Sequence, residues 1–357
     1  MFTGEPRLRR PTGLASSYLD EAWPAIAEAR LREHVTALAE PRNRVTAAEG
    51  MHRAEAYVSQ LLRDSGWRVQ RQPFAFTNVA GVPDFRVEGD PHPRVVFDHI
   101  AGANVLATRS GLSSGPPVVV CAHLDTVTDS PGADDNGSGV AVLLALAELL
   151  APVTPERDIV LGFLDMEEIG CFGARALAAE LRWRSLTGCI VLESVGYVDR
   201  APGSQSMPPL IGMVYPAQIR RIRRRGRRGD WTLVVYRASS AQLARAWAQP
   251  LAQLEGRDAV VLTRDPVDLP VVGAALRRRD SWAGEFARGD HAEFWAVGLP
   301  AIQVTDTANF RNPHYHQPSD TPDTLDYRRV RAVAAATAAA VVDLAGLRSP
   351  RSTTSRR

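Results

Sequence analysis

Apolar residues recur along this chain with two different periods, and the switching between them predicts the elements. From about Ala22 to Asp64 the spacing is helical, as at Leu31, Val35 and Leu38 and again at Ala56, Val58, Leu61 and Leu62, with Gly66 as a stop. Two helices are therefore expected to lead into the domain. Short β-rich runs bounded by turn residues follow: WRVQRQPFAF, NVLATRS, PPVVVCA, DIVLGFLD, GCIVLES, WTLVVYR, DAVVLTR and AIQVTDT. Helical patterns lie between several of them, notably SGVAVLLALAELLA, FGARALAAEL and SAQLARAWAQPLAQL. Strands alternating with helices predict an α/β fold whose largely parallel sheet is covered on both faces. Such sheets carry their sites at the carboxyl ends of strands, in the loops that lead into helices.

Composition narrows this picture in a few places. With 357 residues, the chain can bury a deep core as one catalytic domain, expected over 22–347, with a flexible segment over 1–21 and a disordered tail over 348–357. A formal charge of +2 makes no case for a nucleic-acid or membrane partner. Local charge is different: IRRIRRRGRRG, with the arginines of Arg220–Arg228, is expected to form a solvated insertion loop over 213–230 rather than a site for an acidic partner. Three cysteines without CxxC spacing argue against a disulfide framework and a thiolate cluster, so Cys171 is expected to pack under a loop. No signal or membrane-length run is visible, and a cytoplasmic location is the simplest expectation.

The residues with chemistry gather at the predicted strand ends. His123 and Asp125 follow PPVVVCA, and Asp134 lies eleven residues beyond His123 in PGADDNGSG, where a helix opens. DIVLGFLD runs into the adjacent Glu167 and Glu168, GCIVLES ends in Glu193, and the loop after AIQVTDT supplies His316, with Asp320 four residues on as a candidate to orient it. Zinc favours imidazole nitrogen and carboxylate oxygen, and a ligating histidine usually gives its other N–H to an outer acceptor, a role that suits Asp125. A lone histidine after a strand is ordinarily a hydrogen-bonded core or surface residue, and adjacent glutamates ordinarily form a solvated face. Here, separate strand ends and loops of one sheet each deliver a ligand-type residue, enough for a site with two metals.

These residues resemble the zinc peptidases of clan MH, the family of leucine-type aminopeptidases, aminopeptidase Y and glutamate carboxypeptidase. The similarity runs from about Leu31 to Leu347, and its strongest pieces are AHLDTVTDSPGADDNGSG, FLDMEEIGCFGARALA, DHAEFWAVGLPAIQVTDT and NPHYHQPSDTPDTLDY. It implies a three-layer αβα fold with a mostly parallel mixed central sheet, of the phosphorylase/hydrolase-like zinc-exopeptidase type, and two Zn²⁺ as cofactors. It further implies that His123 and Glu193 bind one zinc, Glu168 and His316 the other, and that Asp134 bridges them, with a cis bond expected at Asp134-Asp135. Glu193 departs from the aspartate that many relatives carry, a longer side chain that can still coordinate zinc.

On that resemblance, Glu167 is the general base: it takes a proton from a water shared by the metals, which attacks the scissile carbonyl, and returns it to the leaving amine. Asp125, Asp135, Asp290, His291 and Asp320 are expected around the ligands rather than among them, Asp290 and His291 as oxyanion support or as purely structural residues. Arg311 is expected either to receive a substrate carboxylate or to pair with Asp306. The partner is a peptide substrate, with no nucleic acid or membrane expected. The activity implied is removal of amino-terminal residues; a carboxypeptidase or dipeptidase of the same clan, a glutaminyl cyclase and an inactive binding module are the alternatives.

Overall fold

A computed structural model of the chain describes residues 8, 13–82, 94–209, 211–269, 273 and 282–347. Eight strands form one mixed sheet in the order β1-β2-β4-β3-β5-β8-β6-β7. Four of them, β3 (Val118–His123), β4 (Ile159–Leu164), β5 (Gly188–Glu193) and β8 (Ala301–Thr305), are adjacent and parallel. β3 and β8 are buried along their whole length. A strand covered on both faces reads as a continuous apolar run, as VVVCA does, not as an alternation.

Antiparallel strands close the sheet on both sides. On one side lie β1 (Arg68–Gly81) and β2 (Val95–Arg109), longer than the sequence runs suggested because the pairing continues through their half-exposed outer parts. On the other, β6 (Thr232–Tyr236) runs against β8, and β7 (Val260–Arg264) lies parallel to β6.

Among the described residues three helices precede the sheet: α1 (Leu14–Ala25), α2 (Glu28–Leu38) and α3 (Ala48–Asp64). The expectation of two helices and of a flexible 1–21 is thus corrected from Leu14 onward, because Ala15, Leu19 and Ala22 present a buried face at helical spacing. These helices cover one sheet face together with α4 (Gly139–Leu150), α8 (Ala241–Glu255) and α10 (Tyr327–Ala345). α10 is buried on nearly every side, and its alanines let neighbouring helices approach closely. Trp247 of α8 donates its indole N–H to Thr337 of α10 at 2.9 Å, the bond a buried indole needs.

The opposite face is covered by α5 (Phe172–Leu181), α7 (Pro216–Arg224, after the single turn α6, Ile211–Val214) and α9 (His291–Ala296), through Leu177, Ile219 and Phe294. The 213–230 segment, expected as a loop, is therefore largely helical: Ile219 and Ile222 supply the apolar face that seats it, and Pro216 suits its first turn. The expected tail, 348–357, lies outside the described residues. Among the described residues no helix is long and apolar enough to cross a membrane.

Topology decides where the site falls. From β3 the chain moves by α4 to β4 on one side, then by α5 on the opposite face to β5 on the other side of β3. The connections diverge at the carboxyl end of β3, which leaves a crevice there. His123, Glu167, Glu168 and Glu193 all emerge at this end.

A candidate metal centre at the strand ends

His123 is the last residue of β3, and its Nδ1–H donates to the Asp125 carbonyl at 3.0 Å, which turns Nε2 into the crevice. The backbone of Asp125 thus performs the orienting role, while its side chain does something the sequence did not suggest. The two carboxylate oxygens accept the backbone N–H groups of Glu167 and Glu168 at 3.1 and 3.2 Å, fixing the turn after β4 to the turn after β3.

The aspartate at the centre of the cluster is Asp135, not Asp134. Asp135 Oδ1 lies 3.1 Å from His123 Nε2, and Oδ2 lies 3.1 Å from His316 Nε2. Glu193 Oε1 is 3.2 Å from the first imidazole and Glu168 Oε2 is 3.3 Å from the second. Asp134 points the other way: its oxygens accept the Gly196 N–H at 2.8 Å and the Asn312 amide at 2.9 Å. The expected bridging role of Asp134 is corrected accordingly, and so is the cis peptide bond, which joins Asp135 to Asn136. Successive side chains in the irregular turn Ala133–Ser138 diverge, so two adjacent aspartates cannot both face the crevice.

Asp320 is likewise reassigned. Its carboxylate accepts the N–H groups of Asp134 and Asp135 at 2.9 and 3.1 Å, so it holds the aspartate turn rather than orienting His316. His316 stacks against Tyr315, with ring centroids 3.8 Å apart. Asn136 and Ser138 complete the support. Asn136 donates to the Leu192 carbonyl at 2.8 Å and accepts from Ser194 N–H at 3.2 Å, and Ser138 Oγ accepts from Val195 N–H at 2.9 Å. Met166, Ser194 and His316 have φ of 60°, 48° and 59°. Non-glycine residues in this region are uncommon, and three of the nine among the described residues stand at the ligand-type turns.

Arg42, which the sequence reading passed over, is fully buried behind the cluster. It donates to the carbonyls of Leu124 at 2.6 Å, Leu38 at 2.5 Å, Glu40 at 3.2 Å, Pro131 at 2.7 Å and Gly132 at 2.9 Å. It therefore clamps the whole loop between His123 and Asp135 to the end of α2. An arginine between two helices carries no local pattern that marks it as buried.

The remaining expected site residues separate. Asp290 is buried beside Glu167 and Cys171, with ligand-type atoms of the three groups within 4.8 Å of one another. His291 turns away: its Nε2–H donates to the Phe286 carbonyl at 2.9 Å, it meets Trp295 edge-on, and burial lowers its pKa to about 4. Arg311 is only 6 % exposed, donates Nε–H to Gln205 at 2.9 Å and lies over the Trp231 ring at 4.9 Å. That burial leaves little of it open to a substrate carboxylate, and Asp306 is the strongest opposite charge acting on it although its close hydrogen bond goes to Gln205.

The electrostatics of the cluster show what it needs. Burial, and then Glu193, push Glu167 up to about 8; burial likewise pushes Glu168 and Glu193 up to about 7. Burial is the largest single influence and opposes charge on both histidines, yet Glu193, Asp125 and Asp135 together outweigh it at His123, which rises well above its ordinary value, and Glu168 and Asp135 together outweigh it at His316, which rises to about 10. Too many carboxylates share too little water, which is the condition that bound cations relieve. Glu168 Oε1 and Glu193 Oε2 are buried without a hydrogen-bond partner, so each has a lone pair to give. Four ligands around zinc at about 2.0–2.2 Å stand about 3.3–3.6 Å apart at tetrahedral angles. The separations of 3.1–3.3 Å within the two sets, His123–Asp135–Glu193 and His316–Asp135–Glu168, come close to that spacing. Imidazole and carboxylate donors fit zinc.

A buried nitrogen and oxygen donor cluster at the carboxyl ends of parallel strands, with a further carboxylate beside it, defines a metal-dependent hydrolase of the α/β class. Comparison with known proteins specifies which. The model of peptidase family M28 matches residues 104–216 and 272–341, and the chain belongs to that family. It is 32% identical to the uncharacterized protein YfbL of Escherichia coli (strain K12) over 300 residues, covering 80% of this chain and 78% of that protein. A probable zinc metalloprotease of Leptosphaeria maculans is 29% identical over 235 residues, 63% of this chain and 51% of the relative, so the chain spans about half of that protein. Among solved structures, the aminopeptidase from Aneurinibacillus sp. strain AM-1 superposes with a TM-score of 0.65 at 16% identity, covering 93% of this chain and 97% of that one. The protein is a zinc metallopeptidase, and the expected three-layer fold with its mixed central sheet is the one observed.

Proposed function

We propose that this metallopeptidase is an exopeptidase with two zinc ions that removes amino-terminal residues from peptides. The observation that carries the reading is the Asp135 carboxylate, each oxygen of which lies 3.1 Å from a different histidine nitrogen, each histidine with its own glutamate. One carboxylate shared by two histidine–glutamate pairs supports a pair of cations rather than one. His123 and Glu193 would hold the first, His316 and Glu168 the second, and Asp135 both. When bound, the zinc pair supplies Lewis acidity toward the scissile carbonyl and lowers the pKa of water to near neutrality.

The residues of the chain supply the rest. Glu167 is held by the bond from its backbone N–H to Asp125, next to Glu168 but outside both ligand sets. It accepts the proton of the attacking water and delivers it to the nitrogen of the leaving amine as the C–N bond breaks. The acidic crevice favours the α-ammonium of a free amino terminus, which reads chain ends rather than interiors. Burial of the supporting aspartates Asp125, Asp134 and Asp320 keeps water from the back of the site.

The test is hydrolysis of aminoacyl-p-nitroanilides and of matched peptides with free and acetylated amino termini, using protein of measured zinc content, with and without a chelator. Chelator-sensitive cleavage of the free but not the acetylated substrates is expected. Cleavage from the carboxyl end, or of dipeptides alone, would replace the aminopeptidase reading. A chain without zinc would overturn it.

A further inference from the structure

Five arginines, Arg220, Arg223, Arg224, Arg227 and Arg228, stand exposed on α7 and the turn that follows it. Ile219 and Ile222 fix the orientation of the three on the helix by burying its opposite side. On the helix the spacing of three and four residues sets Arg220, Arg223 and Arg224 side by side, and Arg227 and Arg228 extend this basic stripe in the turn beyond its end. Arg228 donates to the Arg200 carbonyl at 2.7 Å, and the two companions are engaged as well: Arg221 donates to the Val260 carbonyl at 2.8 Å, and Arg225 pairs with Asp230 at 2.7 Å. Among the described residues, no carboxylate lies within 4.0 Å of any of the five exposed groups. So much uncompensated positive charge in so short a stretch is costly to hold together and attracts an anionic chain.

The stripe sits on the same edge of the sheet as the metal centre. β6 runs antiparallel to β8 with Leu233 opposite Thr305, so the chain enters β6 at the end where β5 and β8 leave the sheet. Gly229, directly after Arg228, bridges to Asp199, which is six residues beyond Glu193. A chain of six residues spans at most about 20 Å. A peptide with its first residue at the cluster and extended at about 3.3 Å per residue would bring its fifth to seventh residues to the arginines.

We infer that the arginine stripe of α7 is a remote subsite for acidic peptide segments, selecting substrates that carry Asp or Glu about five to seven residues from the amino terminus. The inference rests on the exopeptidase reading for what occupies the crevice, but the surface itself is tested separately. The experiment uses the zinc-loaded full chain and two decapeptides with the same first four residues, one with glutamate and one with glutamine at positions five to eight. Binding is read by anisotropy of labelled peptides and turnover by amine release, at low and high salt, for the wild type and for Arg223→Ala/Arg224→Ala/Arg227→Ala.

About a tenfold lower KM for the acidic peptide at low salt is expected, the sum of three exposed ion pairs, with kcat unchanged. The preference should vanish in the triple variant and shrink with salt, while turnover of an aminoacyl-p-nitroanilide, too short to reach the stripe, stays the same. Equal binding of the two peptides, or a preference that survives in the triple variant, overturns the inference. So does binding to RNA or anionic vesicles that the acidic peptide fails to compete. Preferential binding without any turnover would keep the subsite and remove the exopeptidase reading.

Discussion

Replacing Arg42 by methionine tests whether the metal centre depends on a buried cation that touches no ligand. Methionine keeps the length and apolar stem but removes every N–H donor. Of the five carbonyls that Arg42 reaches, Leu38 O retains the Glu40 N–H, Gly132 O retains the Gly137 N–H and Glu40 O is only half-buried, whereas Leu124 O and Pro131 O lose their charged donor. A buried carbonyl left unpaired costs about 1–3 kcal/mol, so the two together cost about 2–6 kcal/mol. Relief from burying the guanidinium, whose pKa burial lowers to about 10, works in the opposite direction. A net loss of about 3 kcal/mol is expected in urea unfolding of the chelated chain, where metal linkage cannot mask it. Because the same carbonyls belong to the loop that ends at Asp135, zinc affinity should also fall about 10–100-fold, the range seen when outer support of a ligand is removed. Arg42→Lys, with one donor head instead of a fork, should lie between. A loss under about 1 kcal/mol together with unchanged zinc affinity would refute the clamp.

Three further outcomes follow from the site. Glu167→Gln should retain its zinc by elemental analysis and lose about 10²–10⁴-fold in kcat, the usual contribution of a positioned proton carrier; near wild-type turnover would remove Glu167 from the chemistry. Asp135→Asn should lose bound zinc, whereas Asp134→Asn should keep it and cost about 1–3 kcal/mol in stability through its bonds to Gly196 and Asn312; the reverse pattern of metal content would restore Asp134 to the centre. Cys171→Ser should leave zinc content unchanged, since Cys171 belongs to neither histidine set, and a fall in bound metal would make it a ligand.

Most of the architecture was readable because burial on both faces writes itself into composition. The apolar runs at 118–123 and 188–193 and the helical patterns at 139–150 and 241–255 became β3, β5, α4 and α8. The helical character of the arginine segment was missed, since charged residues dominate it and only tertiary packing uses its few apolar positions, and that of Leu14–Ala25 was missed because Pro24 reads as a break in a short pattern. In the site, the ligand types were legible at His123, Glu168, Glu193 and His316 because each follows a predicted strand or stands in a recognisable loop.

What the sequence determined by itself was which residue types reach the carboxyl ends of which strands, since period and composition mark where a strand stops. What only the tertiary structure decided was direction. Asp134 and Asp135 are chemically identical neighbours, and their roles separate only through bonds to Gly196, Asn312 and Asp320, residues 62, 178 and 185 positions away. Asp125, Arg42 and Arg311 were likewise assigned by partners distant in sequence. A hydrogen bond depends on where a side chain points, and that is set by packing between elements that the local sequence does not encode.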